Sequence, residues 1–404
     1  TRRSVLAGAL ASAGVVGVGG RGMVARAAPP PVRNLVVVFA YGGWDATFGI
    51  GPVEDPQSPL PPGKIRRFGE IDGYVADDYP AFGRFLEAWG PQAHVVRGLS
   101  VRSVSHFAAA RRAVTGSPDP SRPDVAAITG VERGGDRPVP YLVLGPHALT
   151  GTLGAHACAV GLTNQINDLT LDRPFDDADQ AAIDAFLAGS DADRLGRTWG
   201  AAAQTRLGEL ALSRERARAL IGRQLGVSGT EATLTDNVAL AVEALGEGFT
   251  RAVELDANLA FDTHFSYVEQ APYLDALFVG VTDLVTRLST TPSPDGAGRV
   301  LLDDTVVLVV SEFTRTPRLN LMGGTDHWPW AQLMVIGSGI RGGAVSGAVD
   351  TELAGVPTDL ATGAPTDAGS TLRVENFLAG LLGHLGVDAG AWLVDEPLVS
   401  PFAG

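Results

Sequence analysis

Asp45, Asp262, His264, Glu312, Asp326 and His327 are carboxylates and imidazoles that each fall close to an apolar run. Asp45 ends Tyr41-Gly42-Gly43-Trp44-Asp45, directly after the run Leu35–Ala40. Asp262-Thr263-His264 follows the run Arg251–Leu255, and Glu312 follows Thr305–Val310. Asp326-His327 comes next, in Gly323-Gly324-Thr325-Asp326-His327-Trp328. Carboxylates and neutral imidazoles are the donors that a divalent ion (Zn, Ca, Mg or Mn) takes, and carboxylates sharing one cleft need a cation. Taken singly, an Asp after a strand is more often a helix cap or a turn residue. Taken together, these segments point to a metal site.

Ser105 and His106 precede Phe107–Val114, an alanine-rich stretch with helical character. At a helix start, free amides and the dipole can activate a nucleophile or stabilise an oxyanion. The competing role for Ser103 or Ser105 is a plain N-cap. Arg111, Arg112, Arg315 and Arg318 could clamp an oxyanion through bidentate hydrogen bonds, or could simply be solvated. His94, His147, His156 and His384 lack ligand-like neighbours and read as structural, and Cys158 reads as a small buried apolar residue.

The elements that must position these residues follow from apolar patterning. Runs at Leu35–Ala40, His94–Leu99, Tyr141–Leu144, Thr305–Val310 and Gln332–Ile336 predict buried strands. Between them, Leu274, Leu277, Phe278, Val281, Leu284, Val285 and Leu288 keep the spacing of one helix face, as do Leu372 to Leu385. Strands alternating with helices predict an α/β, doubly wound, mostly parallel sheet covered on both faces. Chemistry in such a sheet gathers beyond the carboxyl ends of its strands. The stretch 176–245 is rich in Ala, Leu, Arg and Glu and predicts a helical insertion within a single domain spanning 32–404.

Composition sets outer limits. The chain has 404 residues, 45% of them apolar, enough for a large core. Its net charge of −14 argues against nucleic-acid binding, which needs clustered Lys and Arg. One cysteine excludes an internal disulfide framework and a multi-cysteine zinc site. Thr1-Arg2-Arg3-Ser4-Val5-Leu6 carries a twin-arginine signature, followed by an uncharged Ala-, Gly- and Val-rich stretch and a small-x-small Ala25-Arg26-Ala27. Residues 1–28 are therefore expected to be a twin-arginine signal peptide read by the export machinery. The expected destination is periplasmic or secreted, reached in the folded state, with no stable membrane span after cleavage.

Gly337-Ser338-Gly339-Ile340-Arg341-Gly342 has the spacing of a dinucleotide fingerprint, but no helix pattern follows it to hold a pyrophosphate. The chain contains no Gly-x-Ser-x-Gly elbow, P-loop or His-Glu-x-x-His.

With these segments in order, the chain resembles the twin-arginine-exported, sulfatase-like proteins of unknown function in the alkaline phosphatase superfamily. The matching segments are Gly42-Gly43-Trp44-Asp45, Ser105-His106 up to Thr115-Gly116, Asp262-Thr263-His264, Ser311-Glu312-Phe313-Thr314-Arg315-Thr316-Pro317-Arg318, Gly324-Thr325-Asp326-His327 and Gly339-Ile340-Arg341-Gly342-Gly343. The resemblance implies metal ligands at strand ends: Asp45 as the first Asp, Asp262 and His264 as an early pair, and His327 as the late His. Glu312 stands where an Asp-His pair usually begins, with Phe313 in the place of the His. The nucleophile position falls on His106, one residue from Ser105, so that either the register shifts or His106 is a ligand or base and water attacks directly. The implied function is an exported metal-dependent hydrolase of phosphate or sulfate esters. Its ligands would be Asp45, Asp262, His264, Glu312 and His327, with Asp326 either a further ligand or a partner of one; Ser105 or His106 would supply the nucleophile or base, and Arg315 would hold the anionic oxygens of a small ester substrate. The alternative is a non-catalytic exported binding or surface-assembly protein on the same fold, favoured by Phe313 and by His106 at the nucleophile position.

Overall fold

The computed structural model describes residues 34–53, 63–159, 176–197, 200–220 and 233–402. The expected leader, residues 1–28, lies outside the described residues. The chain enters the fold through β1 (Asn34–Phe39). A hairpin, β2 (Lys64–Phe68) and β3 (Ile71–Val75), leads to α1 (Ala81–Trp89) and β4 (Ala93–Ser100). Next come α2 (His106–Thr115), α3 (Val125–Gly134), β5 (Tyr141–Leu144) and β6 (Ala157–Ala159). The helices α4 (Asp177–Gly196), α5 (Ala201–Leu220) and α6 (Leu234–Gly246) precede β7 (Ala252–Asp256) and α7 (Gln270–Thr290). The last part contains β8 (Thr305–Val310), β9 (Thr314–Arg315), β10 (His327–Trp328), β11 (Trp330–Gly337), β12 (Ala344–Ser346) and α8 (Val374–His384).

The main sheet has eight strands in the order β12-β4-β11-β8-β1-β7-β5-β6. β1 pairs in parallel with both β7 and β8, and β11 alone runs against its neighbours β8 and β4. Every strand expected from an apolar run is present within two residues of its expected ends. The alternation of β1 explains why the run is unbroken. Val36 and Val38 enter one core with Phe82, Phe85, Leu277, Phe278 and Val281. Leu35, Val37 and Phe39 enter a second core with Ala109, Ile128, Phe377 and Leu381 on the opposite face. A central parallel strand has no solvent face, so both of its faces must be apolar. The expected doubly wound α/β architecture is the one observed.

The helical stretch 176–245 divides by burial. In α5 only Leu220 is buried, whereas α6 buries Val238, Leu240, Ala241, Val242, Ala244 and Leu245. α6 therefore belongs to the layer covering the sheet, and α4 and α5 form the protruding part. Cys158 is half-buried rather than fully buried. Among the described residues, no helix is long and apolar enough to cross a membrane.

The direction of β11 places the site. The carboxyl ends of β1, β4, β5, β7 and β8 share one edge, and the antiparallel β11 starts there. His327, which precedes β11, thus reaches the same edge as Glu312, which follows β8.

Candidate metal centre

The turn after β1 contains Gly42 and Gly43 with φ of 112° and 74°, a region that favours glycine. A Cβ on Gly42 would come within 2.8 Å of the Asp262 amide nitrogen, and one on Gly43 within 2.4 Å of the Phe313 ring. This close approach lets the Gly42 amide donate to Glu312 Oε1 at 2.9 Å and Oε2 at 3.2 Å. Ser311 Oγ also donates to Glu312 Oε2, at 3.0 Å. Glu312 is fully buried, and His106 Nδ1 reaches its Oε1 at 2.5 Å.

His106 then presents Nε2 toward Asp262 Oδ1 at 3.2 Å. That nitrogen is buried and has no hydrogen-bond partner. His264 repeats the pattern: Nδ1 bonds Asp326 Oδ1 at 3.1 Å, while Nε2 lies 3.2 Å from Asp262 Oδ1. In His327, Nδ1 donates to the Val104 carbonyl at 2.6 Å, and Nε2 lies 3.3 Å from Asp262 Oδ1 and 2.8 Å from His264 Nε2. Three imidazoles are thus held at Nδ1 by fixed acceptors and turn Nε2 toward one carboxylate oxygen. An Nδ1–H bonded to a carboxylate or carbonyl leaves the lone pair on Nε2, which is how metal-binding histidines are oriented. The ligand atoms of His106, Asp262 and His327 all lie within 4.8 Å of one another, and His264 joins through two of them.

The electrostatics agree with this arrangement. Burial alone would raise the Asp262 pKa, but the hydrogen bond and charge of Arg315, with His327 and His106, hold it down to about 2. Burial opposes a proton on His106, yet Glu312 and Asp262 outweigh it and raise its pKa. His327 is lowered, mainly by burial and then by the charges of His106 and Arg315. Three carboxylates, Asp262, Glu312 and Asp326, contact the imidazoles, and Arg315 is the guanidinium bonded to Asp262. The cluster therefore has a deficit of positive charge that a divalent cation would fill. An orphaned buried nitrogen and a donor set of imidazole and carboxylate both fit such an ion.

Several expected roles change. Asp45 was expected as a ligand, but its Oδ1 accepts from the Thr47 amide at 3.0 Å and from Thr47 Oγ1 at 2.6 Å, capping a short turn of helix. Glu312 was also expected as a ligand, but both its oxygens are engaged by backbone and side-chain donors, and it orients His106 instead. Asp326 likewise holds His264, through Nδ1. Arg315 was expected to clamp an oxyanion. It is fully buried, and its nitrogens donate to the carbonyls of Gly42, Gly43, Phe261 and Thr325 and to Asp262. It fastens three loops together, and all three of its nitrogens are engaged. Arg318 pairs with Glu352, Arg112 lies 3.5 Å from Glu375, and Arg111 stacks on Phe107. Ser105 stands at the N-cap position of α2 without a side-chain capping bond, and it is exposed beside His106. Phe313 is fully buried and forms the floor, its ring 4.9 Å from that of His106 and 4.6 Å from that of His327.

The sequence reading missed a neighbouring group. Asp256 is the last residue of β7, and its Oδ2 bonds His147 Nδ1. The His147 ring stacks on Tyr41, with centroids 4.1 Å apart and planes at 17°. Tyr41 also faces His106 at 5.3 Å. The signal was available, since Asp256 and His147 both follow apolar runs as the chosen residues do. Behind them, Tyr141 Oη lies 2.7 Å from Glu254 Oε2 and 3.1 Å from Asp124 Oδ2, all fully buried. His94 is structural as expected: it is buried, both ring nitrogens are bonded, and burial lowers its pKa to about 4.

No curated protein matches the chain in sequence. Among solved structures, the chain is similar to Ps i-CgsB (10% identity, TM-score 0.45, covering 92% of this chain and 76% of that one). It is also similar to a protein in the alkaline phosphatase superfamily from Vibrio parahaemolyticus (11% identity, TM-score 0.40, covering 89% and 68%). A third is the phosphonate monoester hydrolase SpPMH from Silicibacter pomeroyi (12% identity, TM-score 0.40, covering 92% and 76%). The chain belongs to the family described as Protein of unknown function (DUF1501), whose model matches residues 151–395 and so spans Asp262, His264, Glu312, Arg315, Asp326 and His327.

Proposed function

We propose that this protein is an exported metal-dependent hydrolase of small phosphate or sulfate esters, with zinc held by His106, His264, His327 and Asp262. The observation that carries this reading is the convergence of three Nε2 atoms on Asp262 Oδ1, each ring held at Nδ1 by a separate acceptor. Imidazole donors favour zinc over calcium or magnesium, which prefer all-oxygen sets. A zinc ion here would lower the pKa of water and offset charge on an anionic ester. The chain's own residues do the rest. Glu312, Asp326 and the Val104 carbonyl fix the imidazole orientations, Arg315 fixes Asp262, and Phe313 excludes water from beneath the rings. The Asp262 side chain is 48% exposed, which leaves the group open to a substrate from the solvent side. Ser105, exposed beside His106, would be the nucleophile, with water as the alternative; Ser105→Ala separates them, since only the first loses turnover.

Two observations favour a non-catalytic role: Arg315 already pairs with Asp262, at 2.7 Å, and Phe313 fills the space beneath His106 and His327. The test is elemental analysis of the purified protein together with assays on phosphate and sulfate monoesters. Near-stoichiometric zinc with turnover abolished by His327→Ala supports the hydrolase. Zinc without turnover leaves the binding role, and no retained metal removes both metal readings. Export is part of the same reading: a reporter fused to residues 1–28 should leave the cytoplasm through the twin-arginine machinery, and a reporter that stays inside refutes it.

A further inference from the structure

We propose that His147, oriented by Asp256, is the proton donor to the leaving oxygen of the ester; this rests on the hydrolase reading and adds a residue to it. β5 and β7 are paired neighbours, with Leu144 opposite Leu255. Asp256 closes β7 and His147 lies three residues past β5, so the two meet at the edge that carries the metal cluster. Asp256 is buried, and its Oδ1 accepts from the Asn258 amide at 2.6 Å, which fixes the carboxylate. Its Oδ2 takes Nδ1 of His147. Nε2 of His147 has no partner among the described residues, and the side chain is 26% exposed. The histidines used structurally are placed otherwise: His94 has both nitrogens bonded, and His384 bonds the Ser338 carbonyl through Nε2.

Position supports the assignment. The His147 ring lies flat on Tyr41, and the same Tyr41 ring faces His106 at 5.3 Å. The His147 ring is thus one aromatic ring away from that of His106. A carboxylate on Nδ1 with Nε2 open is the arrangement of an acid–base imidazole, in which the carboxylate sets the tautomer and the orientation. In the step, the attacking oxygen forms a bond to phosphorus or sulfur. The bond to the ester oxygen breaks, and its electron pair stays with that oxygen. The ester oxygen takes the proton from Nε2 and leaves as an alcohol. The imidazole ends neutral, with Nδ1–H still on Asp256. Attacking water gives one proton to solvent, and the imidazole regains one from solvent, so protons balance.

The test compares an alkyl ester with the p-nitrophenyl ester of the same acid. An alkoxide needs protonation to leave, whereas p-nitrophenolate does not. His147→Gln should lower kcat/KM on the alkyl ester by ~10²- to 10⁴-fold, and on the p-nitrophenyl ester by less than ~10²-fold, the lower bound of that effect. Asp256→Asn should show the same split, with a smaller loss. Equal loss on both esters in both variants overturns the role and leaves the hydrolase intact. Absence of turnover by the unsubstituted protein on either ester overturns the hydrolase reading, and this role with it.

Discussion

Nε2 of His264 and Nε2 of His327 are 2.8 Å apart, although both rings are set to present a lone pair there. His327 Nδ1 faces a carbonyl, which can only accept, so Nδ1 carries the hydrogen. His264 Nδ1 faces Asp326, whose pKa is lowered by Asn320 and His264 and which therefore stays ionised and accepts. Two bare nitrogens at this distance repel unless a positive charge lies between or beside them. Asp262, Glu312 and Asp326 add negative charge around the same point. A cation held there, as proposed above, would relieve that repulsion.

The first prediction concerns the outer partners of the imidazoles. Glu312→Gln keeps the shape but weakens the hold on His106, and should cost about 10- to 100-fold in zinc affinity. His327→Ala removes a donor outright and should cost more. Competition with a chromogenic chelator measures both. Equal affinity in wild type and Glu312→Gln would refute the orienting role.

Zinc should also stabilise the fold. A ligand that binds only the native state adds about 2.7 kcal/mol at a free concentration one hundred times its Kd. Differential scanning calorimetry with and without zinc should show a higher midpoint with it. In His264→Ala the shift should shrink.

Asp45→Ala separates a cap from a ligand. It leaves the Thr47 amide and hydroxyl buried without their acceptor. The expected cost is about 1–3 kcal/mol of stability, the usual penalty for a stranded buried donor. Zinc content should not change; loss of zinc would make Asp45 a ligand after all.

Arg315→Ala should be far worse. It strands Asp262 and four carbonyls at once. Asp262 is partly solvated, so the larger cost is the buried carbonyls, about 1–3 kcal/mol for each one left without a donor. Arg315→Lys should not rescue it, because an ammonium cannot span five acceptors arranged for a planar fork. Chemical denaturation of the two variants measures the difference.

The Asp124–Tyr141–Glu254 network should make stability depend on pH. Burial, then the nearby Asp124, raises the Glu254 pKa to about 8, and burial raises Asp124 to about 6. As pH climbs above the ordinary value of 4.5, the unfolded chain releases the Glu254 proton while the native state keeps it. The native state then binds more protons, so stability falls with rising pH until about pH 8 and is fullest below the ordinary value. Glu254→Gln stays neutral and should lack this slope. Relative to the variant, the wild-type melting temperature should drop between about pH 5 and about pH 8, by ~1 °C for each kcal/mol lost. A parallel pair of profiles would refute it.

What the sequence alone determined is the sheet and the edge where chemistry gathers. Unbroken apolar runs such as Leu35–Phe39 and Thr305–Val310 leave no solvent face, so these strands had to be central and helices had to cover both sides. Carboxylates and imidazoles just past those runs then had to lie near one edge. Tertiary structure alone decided their roles. Asp45 and Asp256 look alike in sequence, each an Asp soon after an apolar run, yet one caps Thr47 and the other holds His147. Arg315 could have been an exposed clamp, but the positive-φ turn at Gly42 and Gly43 turns two carbonyls onto it and closes it in. His327 precedes its strand rather than following it, and reaches the site only because β11 runs antiparallel. Such roles depend on which donor meets which acceptor across sequence separations of up to 273 residues. Local pattern carries no record of those meetings, because they are set by how distant loops pack at the end of a shared sheet.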